Sequence, residues 1–569
     1  MTELFRTCGL TGLKIHRDAY RLIWMNAVTA VVFLLVGVLA AIGLALTRWQ
    51  AIHLLPADWY YRLLTAHGMN MLIYFIIFFE MAVLYYAGPV LLSCRVPTPR
   101  LGWFSYGLML AGALMTDWTI FAGKADVLFT SYVPLKAHPL YYLGIILFAV
   151  GALIVTFIFL ASLVVARREK TYEGSVSLVT FGALTAAIIS VITLLHGALI
   201  YIPTLLWSLG YMQVDPQVYR MVFWALGHCS QQINVAAMVA VWYLLGALTV
   251  GGVVLNQKIS RMAFALYVLF ISMASAHHLL VDPGVGPAWK VWNTSYAMYL
   301  AVLASMVHGF TVPAGIEAGQ RLRGWVNGRF EWLIRAPWGD PGFSGLWLSL
   351  VIFGFLGGIT GVTLGTEQIN ILAHNTLRVP GHFHVTVVGG TALAFMALTY
   401  YLLPLIFRKR VSLWPLARLQ PYVFAFGIVL MSMAMTFSGT FGVPRRHWDI
   451  TGTGAPFGVS FPAVVDLFMA GVGIGGLIAA TGALMYIAIA VVSVFFGKDV
   501  RDEDLFVPGP GMPQGLSKLR QPPPTAEQVE AIHRDGTPGT VVLVFIFLGA
   551  FVLYYFTNWK LLSMLWQIG

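Results

Sequence analysis

Apolar stretches of 20 or more residues recur along the whole 569-residue chain. A stretch of about 20 apolar residues is what a helix needs to cross a bilayer. In hydrocarbon, backbone polar groups must be satisfied within the segment, so such runs fold as helices. We count about thirteen spans, near residues 23–46, 62–92, 102–121, 141–166, 177–206, 220–252, 262–280, 294–317, 344–365, 381–407, 419–441, 463–496 and 541–566. The expected fold class is therefore all-α, a polytopic transmembrane helix bundle. Only 10% of the residues are charged, against about 25% in ordinary soluble domains.

The loops set an orientation. Basic clusters lie before the first span (Arg6, Lys14, Arg17, Arg21) and after the second (Arg95, Arg100). Others follow the fourth (Arg167, Arg168, Lys170), sixth (Lys258, Arg261), eighth (Arg321, Arg323, Arg329) and tenth (Arg408, Lys409, Arg410). All fall on one side if the N-terminus is cytoplasmic, which puts the C-terminus outside. This loop pattern accounts for the net charge of +11, and nucleic-acid binding is not expected. Arg445 and Arg446 break the rule by landing on the outer side. Met1–Asp18 is polar and basic and reads as no cleavable signal peptide. Residues 1–569 read as one integral-membrane domain, with 497–540 a charged, proline-rich cytoplasmic linker before the last span. Cys8, Cys94 and Cys229 form no CxxC or CxxCH motif, so neither covalent c-type haem nor a thiolate zinc site is expected.

Given this topology, six histidines share one depth in the outer part of the bilayer. His67 opens span two, His228 opens span six, His277 and His278 close span seven, and His382 and His384 open span ten. Histidine in a span is costly unless it lines a cavity, pairs or binds something. His382 and His384 are two apart, so on an α-helix they point to roughly opposite sides. One helix can thus serve two planar cofactors. A haem iron takes one or two axial ligands, usually imidazole. His67 with His384 would clamp a six-coordinate haem suited to electron transfer. His382 alone would hold a five-coordinate haem with an open face for a small gas. His228, His277 and His278 remain as a three-imidazole site suited to copper, iron or zinc, with copper favoured by intrinsic affinity. Arg445 and Arg446 can pair with haem propionates, and His374 with Asn375 can meet the other propionates.

These residues resemble the catalytic subunit of the haem–copper oxidase superfamily. The matching motifs are Thr65-Ala66-His67-Gly68, Gly227-His228, His277-His278, His374-Asn375-Thr376 through Gly381-His382-Phe383-His384, and Arg445-Arg446. The resemblance implies the subunit I fold, a low-spin haem on His67 and His384, a high-spin haem on His382, and copper on the other three. Residues 134–139 and 310–324 look like the B-type branch. A plasma membrane of a bacterium or archaeon is the implied location.

One departure bears on activity. Oxygen-reducing A- and B-type members carry a tyrosine four residues after the first metal histidine; this position is Gln232. C-type members place it six residues before the histidine pair; this position is Ile271. Nitric oxide reductases of the superfamily carry a glutamate at the first position, as a ligand to non-haem iron. The chain therefore looks similar to divergent nitric oxide reductases branching from the B-type oxidases. Nitric oxide reduction is the expected reaction, with reduction of O₂ to water by a cytochrome c oxidase the alternative. Three neutral imidazoles favour copper over non-haem iron. Gln232 lies one turn inward from His228 on the same face; it either hydrogen-bonds the bound gas or a pocket water, or orients the metal histidine. Gln231 and Asn234 lie off that face, toward neighbouring helices.

Protons must reach the buried pocket. Ser305, His308 and Thr311 lie on one side of span eight and suit a path from the cytoplasm in the B-type manner, with Glu80 a possible uptake acid. Electrons enter from outside, since the haems lie near the outer surface. The resemblance implies a membrane-anchored cupredoxin-like subunit II and a cytochrome c or cupredoxin donor. A secondary transporter would instead place ionisable groups at broken helices near the midplane.

Overall fold

The computed structural model describes residues 4–271, 275–452, 456, 458–507, 509–518 and 525–565. Thirteen long helical segments follow one another: α1 (Arg17–Arg48), α2 (Ala57–Val90), α3 (Pro99–Phe121), α4 (Pro139–Arg168), α5 (Leu178–Ser208), α6 (Pro216–Val250) and α7 (Gln257–Leu266). Then come α8 (Pro287–Arg321), α9 (Pro341–Gly365), α10 (Arg378–Leu405), α11 (Trp414–Thr440), α12 (Val464–Phe496) and α13 (Pro538–Leu565). Eleven of them are long and apolar enough to cross a membrane, among the described residues. The other two, α3 and α7, fall at the expected third and seventh spans. α7 runs on as a π-turn, Tyr267–Ile271, and chain order resumes as a 3₁₀ turn, Ser275–His278, that carries two of the histidines. The protein is a multi-pass membrane protein.

Local chemistry sets the helix ends. Asp215 caps α6 by accepting from the amides of Gln217 and Val218 at 2.9 and 2.8 Å, with Pro216 in the first turn. Gly251 ends α6 in the left-handed region at φ 62°. Asp340 caps α9 in the same manner and also accepts from the Tyr401 hydroxyl at 2.9 Å. π-turns interrupt α2 at Met69–Phe75, α9 at Ile352–Gly358 and α10 at His384–Ala392. Such turns concentrate at functional sites, and here two of them begin at or just after a histidine.

Sequential helices pack as neighbours: α3 on α4, α5 on α6, α11 on α12. α12 returns to α1, and α10 is packed among α6, α9 and α11. Gly381 permits the last approach, since a Cβ there would meet Thr436 Oγ1 at 2.5 Å and the Ser432 carbonyl at 2.9 Å. α13 sits outermost, against α8 and α9. The segment expected as a linker is partly folded onto the helix ends beside the basic cluster Arg408–Arg410. Lys409 meets Asp499 at 2.7 Å, Arg410 meets Asp504 at 3.3 Å, and Arg408 pairs with Asp502. Short helices follow at Gln514–Lys518 and Ala526–Asp535; the triple proline 522–524 lies outside the described residues.

Candidate haem and metal centre

α2 and α10 bring His67 and His384 face to face, with ring centroids 6.3 Å apart and planes 12° from parallel. Two imidazoles bonded across one metal at about 2.0–2.1 Å per nitrogen place their centroids roughly 6 Å apart. Each ring also has its Nδ1 committed. His67 Nδ1 donates to the Gly37 carbonyl at 3.1 Å, and His384 Nδ1 donates to the Pro380 carbonyl at 2.7 Å. Both Nε2 lone pairs are left for a ligand. The two rings line a cavity of about 250 Å³ together with Arg48, Arg445 and Arg446.

His382 also reaches that cavity, but it opens on a second one of about 330 Å³, where His384 does not appear. The Thr360 hydroxyl lies 2.9 Å from His382 Nδ1 and donates to the Gly357 carbonyl at 3.0 Å. Its proton is spent, so it accepts from Nδ1–H, which leaves His382 Nε2 bare.

Across the second cavity stand His228 of α6 and the His277–His278 pair, with one ligand atom from each within 4.8 Å of the others. His228 Nδ1 lies 3.2 Å from His278 Nε2. Nitrogens bonded to one tetrahedral metal at about 2.0–2.1 Å are about 3.3 Å apart, so the pair is set for a shared ion. Trp224, one turn before His228, stacks on His278 at 3.8 Å and 5° and holds its plane. The Gln232 amide nitrogen sits 3.3 Å from His228 Nε2. Among the described residues, this cavity is lined by neither a carboxylate nor a tyrosine.

Cations collect at the end of the bundle nearest the histidines. Main-chain bonds zip two loops together there: Leu377 N to Val443 O at 2.8 Å and Arg445 N to Asn375 O at 2.9 Å. These place Arg445 beside His374. Arg220 grips Asp282 through two bonds of 2.6 and 2.9 Å, and both Arg220 and Arg446 lie over the Tyr132 ring. Arg220, Arg445 and His374 thus gather around Asp282, with Arg446 close to Arg445 and Arg220. Burial and then the charge of Arg446 pull Arg445 down to about 9. Burial and then Arg445 hold His374 down to about 4. Arg445 Nε is buried with no hydrogen-bond partner. Such a surplus of buried cations fits anionic groups such as propionates.

The polar residues of α8 join others that spacing does not reveal. The Tyr243 hydroxyl lies 2.6 Å from Thr311 Oγ1, 3.0 Å from His308 Nδ1 and 3.1 Å from Ser260 Oγ. The Tyr267 hydroxyl lies 2.9 Å from Ser305 Oγ, and Ser305 lines the cavity of the three histidines. Glu80 belongs to neither group. It lies across α6, in a third cavity of about 120 Å³. Tyr201 also lines that third cavity, and Tyr299 pairs with Tyr555 and Thr366 at the α13 side; neither lines the cavity of the three histidines. Sequence reasoning missed Arg220, Asp282, Tyr132, Trp224, Tyr243 and Tyr267. Only Trp224, one turn from His228, carried a local signal.

A bundle with two facing imidazoles, a third beside a three-histidine cluster and a cationic lid is an arrangement suited to a membrane redox subunit that holds haem and a second metal. Residues 21–491 match the family described as Cytochrome C and Quinol oxidase polypeptide I, and the chain belongs to that family. It is 32% identical over 399 residues to cytochrome c oxidase subunit 1 of Thermus thermophilus, covering 68% of this chain and 69% of the relative. It is 25% identical over 450 residues to cytochrome c oxidase subunit 1 of Bacillus subtilis, covering 73% and 66%. It is also similar to a solved heme-copper terminal oxidase dimer, with a TM-score of 0.80 and 26% identity over 94% of this chain and 92% of that one. The protein is an oxidoreductase subunit of the haem–copper superfamily, whose members use haems and copper.

Proposed function

We propose that the chain is the catalytic subunit of a membrane nitric oxide reductase. The observation that carries this reading is the cavity shared by His228, His277, His278 and His382. No tyrosine lines it among the described residues, and the Gln232 amide occupies the place beside His228 Nε2. Cleaving O₂ in one step takes four electrons, one of them from a nearby phenol. Two molecules of nitric oxide need only two electrons and two protons to become nitrous oxide and water.

His67 and His384 would hold the electron-transfer haem, His382 the gas-binding haem, and His228, His277 and His278 a copper ion. When bound, these groups carry the electrons and take up the gas. The all-imidazole set supports copper rather than iron. Arg445, Arg446 and His374 would receive the propionates. Trp224 and Gln232 keep two of the metal histidines oriented. Ser260, Tyr243, Thr311, His308, Tyr267 and Ser305 would pass protons inward from the cytoplasmic side. Electrons would come from outside through a membrane-anchored cupredoxin-like subunit, fed by cytochrome c or a cupredoxin.

The second reading is reduction of O₂. It is favoured by the Tyr267 phenol, one hydrogen bond behind cavity-lining Ser305, and by the named activity of the relatives. Turnover of the purified complex with each gas decides. Rapid nitrous oxide formation with slow O₂ consumption is expected; fast, complete reduction of O₂ to water with negligible nitric oxide turnover would reverse the assignment.

A further inference from the structure

Glu80 lies within α2 and is 4% exposed. A carboxyl inside a span is costly and marks function more often than structure. It forms no ion pair among the described residues and caps no helix. It lines the third cavity, between α2, α4, α5 and α6. That cavity's other polar side chains among the described residues are Ser190, Thr193, Tyr201, Ser230 and Gln231, of which Tyr201 alone is titratable. No lysine, arginine or histidine lines it among the described residues, so an ionised Glu80 has no counter-charge there.

The acid is tied to the metal-bearing helix. With its amide nitrogen turned toward the carboxyl, Asn234 of α6 donates to Glu80 Oε1 at 2.9 Å and to the Ser230 carbonyl at 3.2 Å. Gln231 stands one turn before Asn234 and lines all three cavities: that of Glu80, that of the three histidines and that of His67 and His384. The volume of about 120 Å³ accommodates several waters, at about 10–15 Å³ each.

We propose that Glu80 is a proton donor to the gas-reducing cavity, acting through Asn234, Ser230 and Gln231 on the side of α6 opposite Tyr243 and Tyr267. Its carboxylic proton leaves through a file of hydrogen-bonded water held by the Gln231 side chain, and the carboxylate regains a proton from solvent water before the next turnover. This rests on a proton-consuming reduction in that cavity, as read above, and not on which gas is reduced.

The test uses the purified complex with haems and metal in place. Turnover is measured with both nitric oxide and O₂, so a wrong choice of gas does not pass for a failure of Glu80. Glu80→Gln is expected to slow turnover roughly a hundredfold, the lower end of what a positioned proton donor supplies, with both haem spectra unchanged. Glu80→Asp is expected to restore much of the rate. Infrared difference spectra of the parent should contain a protonated-carboxyl band that moves in D₂O, disappears in Glu80→Gln and shifts in Glu80→Asp and Asn234→Leu. Parental turnover in Glu80→Gln would overturn the proposal. So would a band unmoved in Glu80→Asp and Asn234→Leu, even if Glu80→Gln does not assemble. Loss of haem in Glu80→Asp would make the residue structural and overturn it too.

Discussion

Gln232 offers its side-chain amide to His228 Nε2 at 3.3 Å, on the ring edge away from the nitrogen that meets His278. In this orientation the amide nitrogen donates to Nε2; a metal on His228 Nδ1 would put the proton on Nε2, and the same amide, turned over, would accept it. In that turned-over orientation the residue would hold the tautomer that a metal ligand needs.

Gln232→Leu should therefore weaken metal retention about tenfold, as loss of a hydrogen bond behind a metal ligand does. Gln232→Glu, which keeps an acceptor, should restore it. Chelator titration with metal analysis measures both. Unaltered retention in Gln232→Leu would count against the role.

His382→Ala should remove the high-spin haem signal while the low-spin spectrum persists. His384→Ala and His67→Ala should do the reverse. Optical and paramagnetic spectra of the purified variants check the assignment, and a swapped pattern would exchange the roles of His382 and His384.

Arg445→Met removes a buried cation from the edge of both cavities proposed to hold haem. An oxidised haem is more positive than a reduced one, so losing a nearby cation stabilises the oxidised form. Midpoint potentials should fall by roughly 60 mV, about tenfold in a one-electron equilibrium. Redox titration followed at each haem band reads it.

His374 is held down to about 4 by burial and Arg445, against about 6.5 for an exposed ring. Between these values the unfolded chain binds the proton and the folded one does not. Stability therefore falls as pH drops from about 6.5 to about 4, and this contribution is fully present only above that window. His374→Asn should flatten the decline of thermal stability over that range.

Tyr243→Phe deletes the hydroxyl that joins Ser260, His308 and Thr311, and Tyr267→Phe the one bonded to cavity-lining Ser305. Turnover should drop roughly a hundredfold with intact haem spectra. Normal rates in both variants would remove these two groups from proton delivery.

The apolar runs, the basic loops and the six histidines were legible in the chain because each is a local chemical property. A run of apolar residues must span, a basic loop resists translocation, and an imidazole within a span needs a partner. Depth followed from these, and so did the grouping of His67 with His384 and of His228 with His277 and His278. Which helix faces meet was decided only in three dimensions. Arg220 and Asp282 are 62 residues apart, Tyr243 and Thr311 are 68, and no spacing rule joins them. Glu80 and Ser305 looked like parts of one path, yet α6 stands between their cavities. Rotation and packing of each helix against its neighbours set such juxtapositions, through glycine contacts, π-turns and buried hydrogen bonds that depend on the whole bundle at once.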